Sequence, residues 1–214
     1  MSSCGEMPSW ELAAIWILRG GVVITAVVFM ATGQWMFGIF AALSVVVAIT
    51  PTLAARNARL TPPFEIELVL LWFMVTHLTL GYLFDLYNRI TWYDKVLHFG
   101  NSVLVGFIAF MVVYVAHVLR HERAHPWMDA LAILMLTLGF GALWEIGEFT
   151  SDQLFGTHTQ GSPTMAPLPD TMWDLILDAS GGVLAATLGP LYMHRSKRSR
   201  RRAKQFADYI DRRA

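Results

Sequence analysis

Three short stretches set acids and a histidine at helical spacing inside otherwise apolar sequence. Asp94, His98 and Asn101 follow i, i+4, i+7; Glu145, Glu148 and Asp152 follow i, i+3, i+7; Asp174, Asp178 and Gly181 follow i, i+4, i+7. Residues so spaced share one face of a helix. Two chemistries suit such faces when they meet. Crowded carboxylates can share protons, or several oxygens and one or two imidazoles can hold a divalent cation. A donor set without thiolate suits Mn, Fe, Zn or Mg rather than Cu(I). The metal-ligand candidates are therefore Asp94, His98, Glu145, Glu148, Asp174 and Asp178, with His77, Asp152 and His158 as further candidates. His98, Glu145 and Glu148 are the candidates for catalytic groups. The Glu-x-x-His pairing of di-iron bundles is not part of this pattern.

The elements that must position these groups follow from composition. The chain has 214 residues, 55% hydrophobic and only 15% charged, against roughly 25% charge in soluble domains. Several stretches reach the roughly 18 to 20 apolar residues needed to span a hydrocarbon core. Membrane barrel strands would alternate polar and apolar, and these runs do not. The expected fold is all-α, a polytopic transmembrane helical bundle of about six spans at 12–32, 36–55, 64–84, 96–118, 127–149 and 172–193. Arg19 interrupts the first, so "WELAAIWILR" is read as a surface segment feeding a span from Gly20, or as part of the span itself. Residues 1–193 are expected to form the membrane domain, with its polar site mainly from 64–190, and 194–214 a basic cytoplasmic tail. Cys4 is the only cysteine, which excludes an intrachain disulfide. The first ten residues lack Lys and Arg, so a cleaved secretory signal is not expected.

Orientation follows from the basic residues. Arg56 and Arg59, Arg120 and Arg123, and the tail "RSKRSRRRAK" fall at alternate span ends. The positive-inside rule makes that side cytoplasmic and both termini cytoplasmic. Glu145, Glu148, Asp174, Asp178, Asp94 and His98 then gather near the extracytoplasmic leaflet, with His77 and Asp85 expected at the same depth. Gly181, Gly182, Ala185 and Ala186 would let the last span approach its neighbours closely. The basic tail could lie on anionic lipid, each Lys or Arg there contributing about 1 kcal/mol. The plainer reading is a topology anchor. No nucleic-acid motif accompanies it.

Ordinary explanations compete. Thr91 with Asp94, and Thr171 with Asp174, fit a T-x-x-D capping box at a helix start. Asp85 and Asp152 read as wet loop residues, and Asp129 and Glu122 as interfacial ones. Capping does not cover His98 and Asp178, a turn deeper. Nor does it cover Glu145 and Glu148, read here at a helix C-terminus where the dipole disfavours anions. A charge at mid-membrane costs about 2.5–3.5 kcal/mol on insertion scales, so ionisable groups there mark function by default. "TWYDKVLH" at 91–98 echoes "TMWDLILD" at 171–178, as duplicated hairpins would.

"THLTLGY" and "NRITWYDKVLHFGNSVLVG", followed by "ALWEIGEFTSDQLFGTHTQGSPTMAPLPDTMWDLILDASGGVLAA", resemble the YjdF-like group of bacterial inner-membrane proteins of unknown function. "YDKVLHF" is similar to the DKxxHF signature of VanZ-like proteins. The resemblance covers roughly 64–190 and implies a polytopic helical fold with these polar positions. VanZ-like proteins are linked to resistance to a lipoglycopeptide antibiotic, which supplies no reaction. The loop "GTHTQGSPTMAPLPD", with His158, departs from the Gly-Asp-rich segment common there.

Three functions fit. The leading one is a divalent-metal or proton site serving hydrolysis or transfer on a lipid-linked head group, with the loop from Thr150 to Thr171 as a lid carrying His158. The second is a small proton-coupled transporter, which needs access from both sides. The third is a non-catalytic scaffold or accessory protein.

Overall fold

The computed structural model describes residues 9–57, 64–121, 125–162 and 164–212. Cys4, Arg59, Pro62, Pro63, Glu122 and Arg123 lie outside the described residues. The described chain is helical in all its long elements, as its apolar runs require: a helix satisfies its own backbone where no water can. Two compact units divide it, Met1–Arg89 and Ile90–Ala214.

The first unit holds α1 (Ser9–Ala31), α2 (Trp35–Asn57), α3 (Phe64–Met74), a π-helical stretch Val75–Leu83 and the short α4 (Leu86–Arg89). α1 turns into α2 through Gly33, whose φ of 79° lets the amides of Gly33 and Gln34 reach back to Met30 and Phe29. Ile15, Val22, Phe29, Ala41, Ala48, Leu71 and Leu78 form its core. α1 is one unbroken helix through Arg19, so the surface-segment reading of 10–19 is not what forms. The reason is Glu67. Arg19 pairs with Glu67 Oε1, its Nε at 2.8 Å, while Thr52 donates to Oε2. Trp16 lies under the guanidinium at 5.2 Å. Glu67 is fully buried, and the pairing offsets part of the cost of burying each charge.

The second unit holds α5 (Tyr93–Arg120), α6 (Pro126–Phe155), α7 (Pro167–Arg195) and α8 (Lys197–Asp211). α5, α6 and α7 pack on one another in alternating direction. Small residues set the spacing. A Cβ at Gly181 would lie 2.8 Å from Val103 N and 2.9 Å from Phe99 O, so the backbones of α7 and α5 are nearly in contact there. Gly182 meets Thr137 of α6, and Gly106 meets Ala185. Outward-facing residues are apolar: Leu143, Ile146, Ile176, Val183 and Leu191 are exposed, whereas Glu145, Asp170, Asp174 and Asp178 are buried. That inside-out distribution is the one lipid selects.

Among the described residues, four helices are long and apolar enough to cross a membrane: Leu12–Ala31, Tyr93–Arg120, Pro126–Phe155 and Pro167–Arg195. Trp35–Thr50 and Glu67–Leu83 are shorter apolar helices. Several boundaries differ from the sequence reading. α7 begins at Pro167, not near 172, so Thr171 and Asp174 are inside a helix and form no capping box. Trp92 precedes α5 with no side-chain cap, so Thr91 and Asp94 form none either. α6 continues to Phe155, which places Glu145 and Glu148 inside the helix instead of at its end. The interhelical loop therefore shortens to 156–166.

Candidate functional site

At one end of the second unit, the first turns of α5 and α7 lie beside the last turns of α6. His98 is at the centre. Its Nδ1 faces both oxygens of Asp178, at 3.3 and 3.4 Å, and the Ser102 hydroxyl donates to Asp178 Oδ1. Gly141 makes room on the far side: a Cβ there would overlap the Asp178 carboxylate. In the neutral ring, a carboxylate at Nδ1 would hold the proton on that nitrogen and leave the Nε2 lone pair for a ligand.

Three carboxylate oxygens gather around that Nε2: Glu145 Oε1 at 3.6 Å, Asp94 Oδ1 at 3.8 Å and Asp174 Oδ1 at 4.0 Å. These separations are too long for hydrogen bonds. The second oxygen of each acid is held by a protein donor. Lys95 Nζ donates to Asp94 Oδ2 at 3.1 Å, Asp174 Oδ2 at 2.6 Å and Asp170 Oδ1 at 2.8 Å. The Thr171 hydroxyl donates to Glu145 Oε2 at 2.7 Å, and Gln160 Nε2 donates to Thr171 at 3.0 Å. Glu145 Oε1 and Asp174 Oδ1 are buried with no hydrogen-bond partner. Each acid is thus tied down by one oxygen and presents the other to a shared point.

The point has the dimensions of an ion site. Ligand atoms of Asp94, His98 and Asp174 lie within 4.8 Å of one another. A nitrogen and an oxygen each about 2.0–2.2 Å from a tetrahedral ion stand about 3.3–3.6 Å apart, close to the separations of Nε2 from Glu145 Oε1 and Asp94 Oδ1; Glu145 lies outside the three residues whose ligand atoms all fall within 4.8 Å. Without a cation between them, ionised carboxylates facing one another here would repel. Lys95 is the single lysine shared by Asp94, Asp170 and Asp174.

Of the residues singled out from sequence, Asp94, His98, Glu145 and Asp174 meet directly, with Asp178 behind the imidazole. Glu148 sits one turn beyond Glu145, half-buried, its Oε1 accepting from Trp144 Nε1 at 3.0 Å. Asp152 is occupied with the loop: its carboxylate accepts from Thr157 and Thr159 hydroxyls and from the backbone of Thr159 and Gln160. His158 is exposed in that loop with φ 56°. His77 belongs to the first unit, where Nδ1 meets the Tyr87 hydroxyl at 2.5 Å. Asp85 is a half-exposed turn residue beside Asn88 and Arg89. Sequence reasoning missed Lys95 as an anchor, Ser102, Gln160 and Asp170. Asp170 had a legible signal, since 170, 174 and 178 form an i, i+4, i+8 ladder.

Toward the other end of the same bundle the interior turns apolar, with Ala109, Phe110, Ile133 and Met193 packed together. A helical membrane protein with an apolar exterior and acids and an imidazole gathered inside is the class these features define. The chain belongs to the DUF2238 family of predicted membrane proteins, which it matches over residues 13–195. It is 30% identical over 123 residues to an uncharacterized protein of Thermotoga maritima, an overlap of 56% of this chain and 58% of that protein. The chain therefore aligns with little more than half of that relative's length. No solved structure matches it.

Proposed function

We propose that this is a bacterial inner-membrane protein of about six spans, with both termini cytoplasmic, that holds a divalent cation near the extracytoplasmic leaflet. Asp94 Oδ1, His98 Nε2, Glu145 Oε1 and Asp174 Oδ1 are its ligands. Mn, Fe, Zn and Mg are the ions this oxygen-rich set suits. The observation that carries the reading is the pair of buried, unpartnered oxygens on Glu145 and Asp174, both aimed at the free side of His98. The relation to YjdF-like and VanZ-like proteins belongs to the same proposal, resting on the "DKVLH" and "WEIGE" segments that supply these ligands.

The reaction class we assign is hydrolysis or transfer on a lipid-linked head group. A bound divalent ion would polarise an oxygen of the substrate and activate water. Asp178 orients His98, and Lys95 orients Asp94 and Asp174. To Glu148, one turn along α6 and held by Trp144, we assign the role of taking a proton. The apolar packing of Ala109, Phe110, Ile133 and Met193 supports a site open to one side over a transport pathway.

Elemental analysis of the detergent-purified protein tests this. Wild type should carry about one divalent ion per chain, and Glu145→Gln clearly less; equal, background-level metal in both would end the proposal. A subtler outcome is expected for Thr171→Val. Glu145 Oε2 loses its donor, so metal affinity should fall about 10–100-fold, as for other outer-shell partners. Thr171→Ser should restore it in the same competition titration against a chelator.

A further inference from the structure

α8 carries charge in a way its own stability does not explain. Lys197, Arg198, Arg200, Arg201, Arg202 and Lys204 crowd its first half, and its first turn holds no acid. Cations repel one another and are disfavoured at the positive end of a helix. The acids Asp208 and Asp211 come only at the far end. An external anion beside the exposed Lys197, Arg201 and Lys204 would relieve that repulsion.

The fold fixes where that anion is. Only Ser196 separates α8 from α7, which is long and apolar enough to cross a membrane. Ser196 caps α8 by accepting from Ser199 N, and Tyr192 of α7 hydrogen-bonds Ser199 Oγ at 2.8 Å. Ser199, Ala203 and Ala207, at i, i+4, i+8, are buried, and α8 packs on α5. Lys197, Arg201 and Lys204, at i, i+4, i+7, are exposed on the opposite side. The helix is thus docked at the end of the span with a basic face turned outward, at head-group level.

We infer that α8 is a preformed binding surface for anionic phospholipid, its exposed Lys197, Arg201 and Lys204 meeting lipid phosphates. This is independent of the metal proposal. The charge count matches the four to eight basic residues that mark such surfaces. Docking through small side chains means the face needs no ordering on contact, so its whole electrostatic gain goes to lipid selection.

The test is thermal unfolding of the full chain in neutral detergent, with added dioleoylphosphatidylglycerol or dioleoylphosphatidylcholine. Phosphatidylglycerol should raise the unfolding temperature and phosphatidylcholine should not. Lys197→Gln/Arg201→Gln/Lys204→Gln should need roughly 100-fold more phosphatidylglycerol for the same effect. Salt near 1 M, where the Debye length is about 3 Å, should abolish the difference. Asp208→Asn/Asp211→Asn, which removes charge of the opposite sign, should strengthen the response, and an unfolding temperature of the triple variant without added lipid equal to wild type shows that its loss is not misfolding. Equal responses to the two lipids would overturn the inference, as would a triple variant that behaves as wild type. Oligouridine acting at lower concentration than phosphatidylglycerol would assign the face to nucleic acid instead.

Discussion

His98→Ala abolishes divalent-metal binding while leaving the protein folded: that is the largest effect expected here. Nε2 is the atom around which Glu145 Oε1, Asp94 Oδ1 and Asp174 Oδ1 gather. On the proposed assignment, removing it deletes the one nitrogen ligand and leaves three acids without the group they gather around. Affinity should fall by more than the roughly 100-fold that bounds the loss of an outer-shell partner. Asp178→Asn separates the roles. Asp178 touches Nδ1 and Ser102 and is not among the converging oxygens. Its replacement should cost about 10–100-fold by loosening the imidazole. Calorimetric titration with Mn or Zn on the metal-stripped protein, for both variants beside wild type, reads the difference. Asp178→Asn losing as much as His98→Ala would make Asp178 a ligand and the assignment wrong.

Gly181→Ala should be the most damaging small substitution. The added methyl would meet Phe99 O and Val103 N at 2.9 and 2.8 Å, and backbone inside a helix cannot step aside as a side-chain end can. Overpacking of this kind costs about 1–3 kcal/mol, and the contact with backbone places it at the upper end. α5 must shift off α7, which draws His98 away from Asp178, so metal affinity and stability fall together. Gly100→Ala on α5 is the control. Nothing lies within 4 Å of a Cβ there, and Ala favours a helix over Gly by about 0.5–1 kcal/mol. Unfolding in detergent should show Gly100→Ala neutral or stabilised and Gly181→Ala strongly destabilised. Equal melting of the two would mean α5 and α7 are not in backbone contact.

Why some of this was legible in the sequence comes down to periodicity. His98, Glu145, Asp174 and Asp178 each interrupt an apolar run at helical spacing, and a membrane turns such faces inward. That logic singles out Asp94, His98, Glu145, Asp174 and Asp178, which the packing brings to one end of the bundle. It lost what depends on helix ends. The start of α7 is at Pro167, carrying Asp170 into the helix, because proline at the first turn forfeits only an amide that has no partner anyway. Reading Thr171 as a cap hid its bond to Glu145, which needs α6 to run on past Glu148. The one ammonium of Lys95 ties three carboxylates on two helices, a convergence that only the packing reveals. Glu67 escaped for a different reason. It lies where the apolar run of α3 had scarcely begun, and only the packing of α1 against α3 shows that Arg19 answers it. The π-helical stretch Val75–Leu83, with His77 inside, has no periodic signature short enough to read.

The central claim is that four atoms on three helices share one ion. Anomalous-difference diffraction from crystals of the metal-stripped protein soaked in Mn tests it most directly. The expected result is one peak about 2.0–2.3 Å from His98 Nε2, Asp94 Oδ1, Glu145 Oε1 and Asp174 Oδ1 together. A map with manganese bound elsewhere on the chain and none at that point would contradict it.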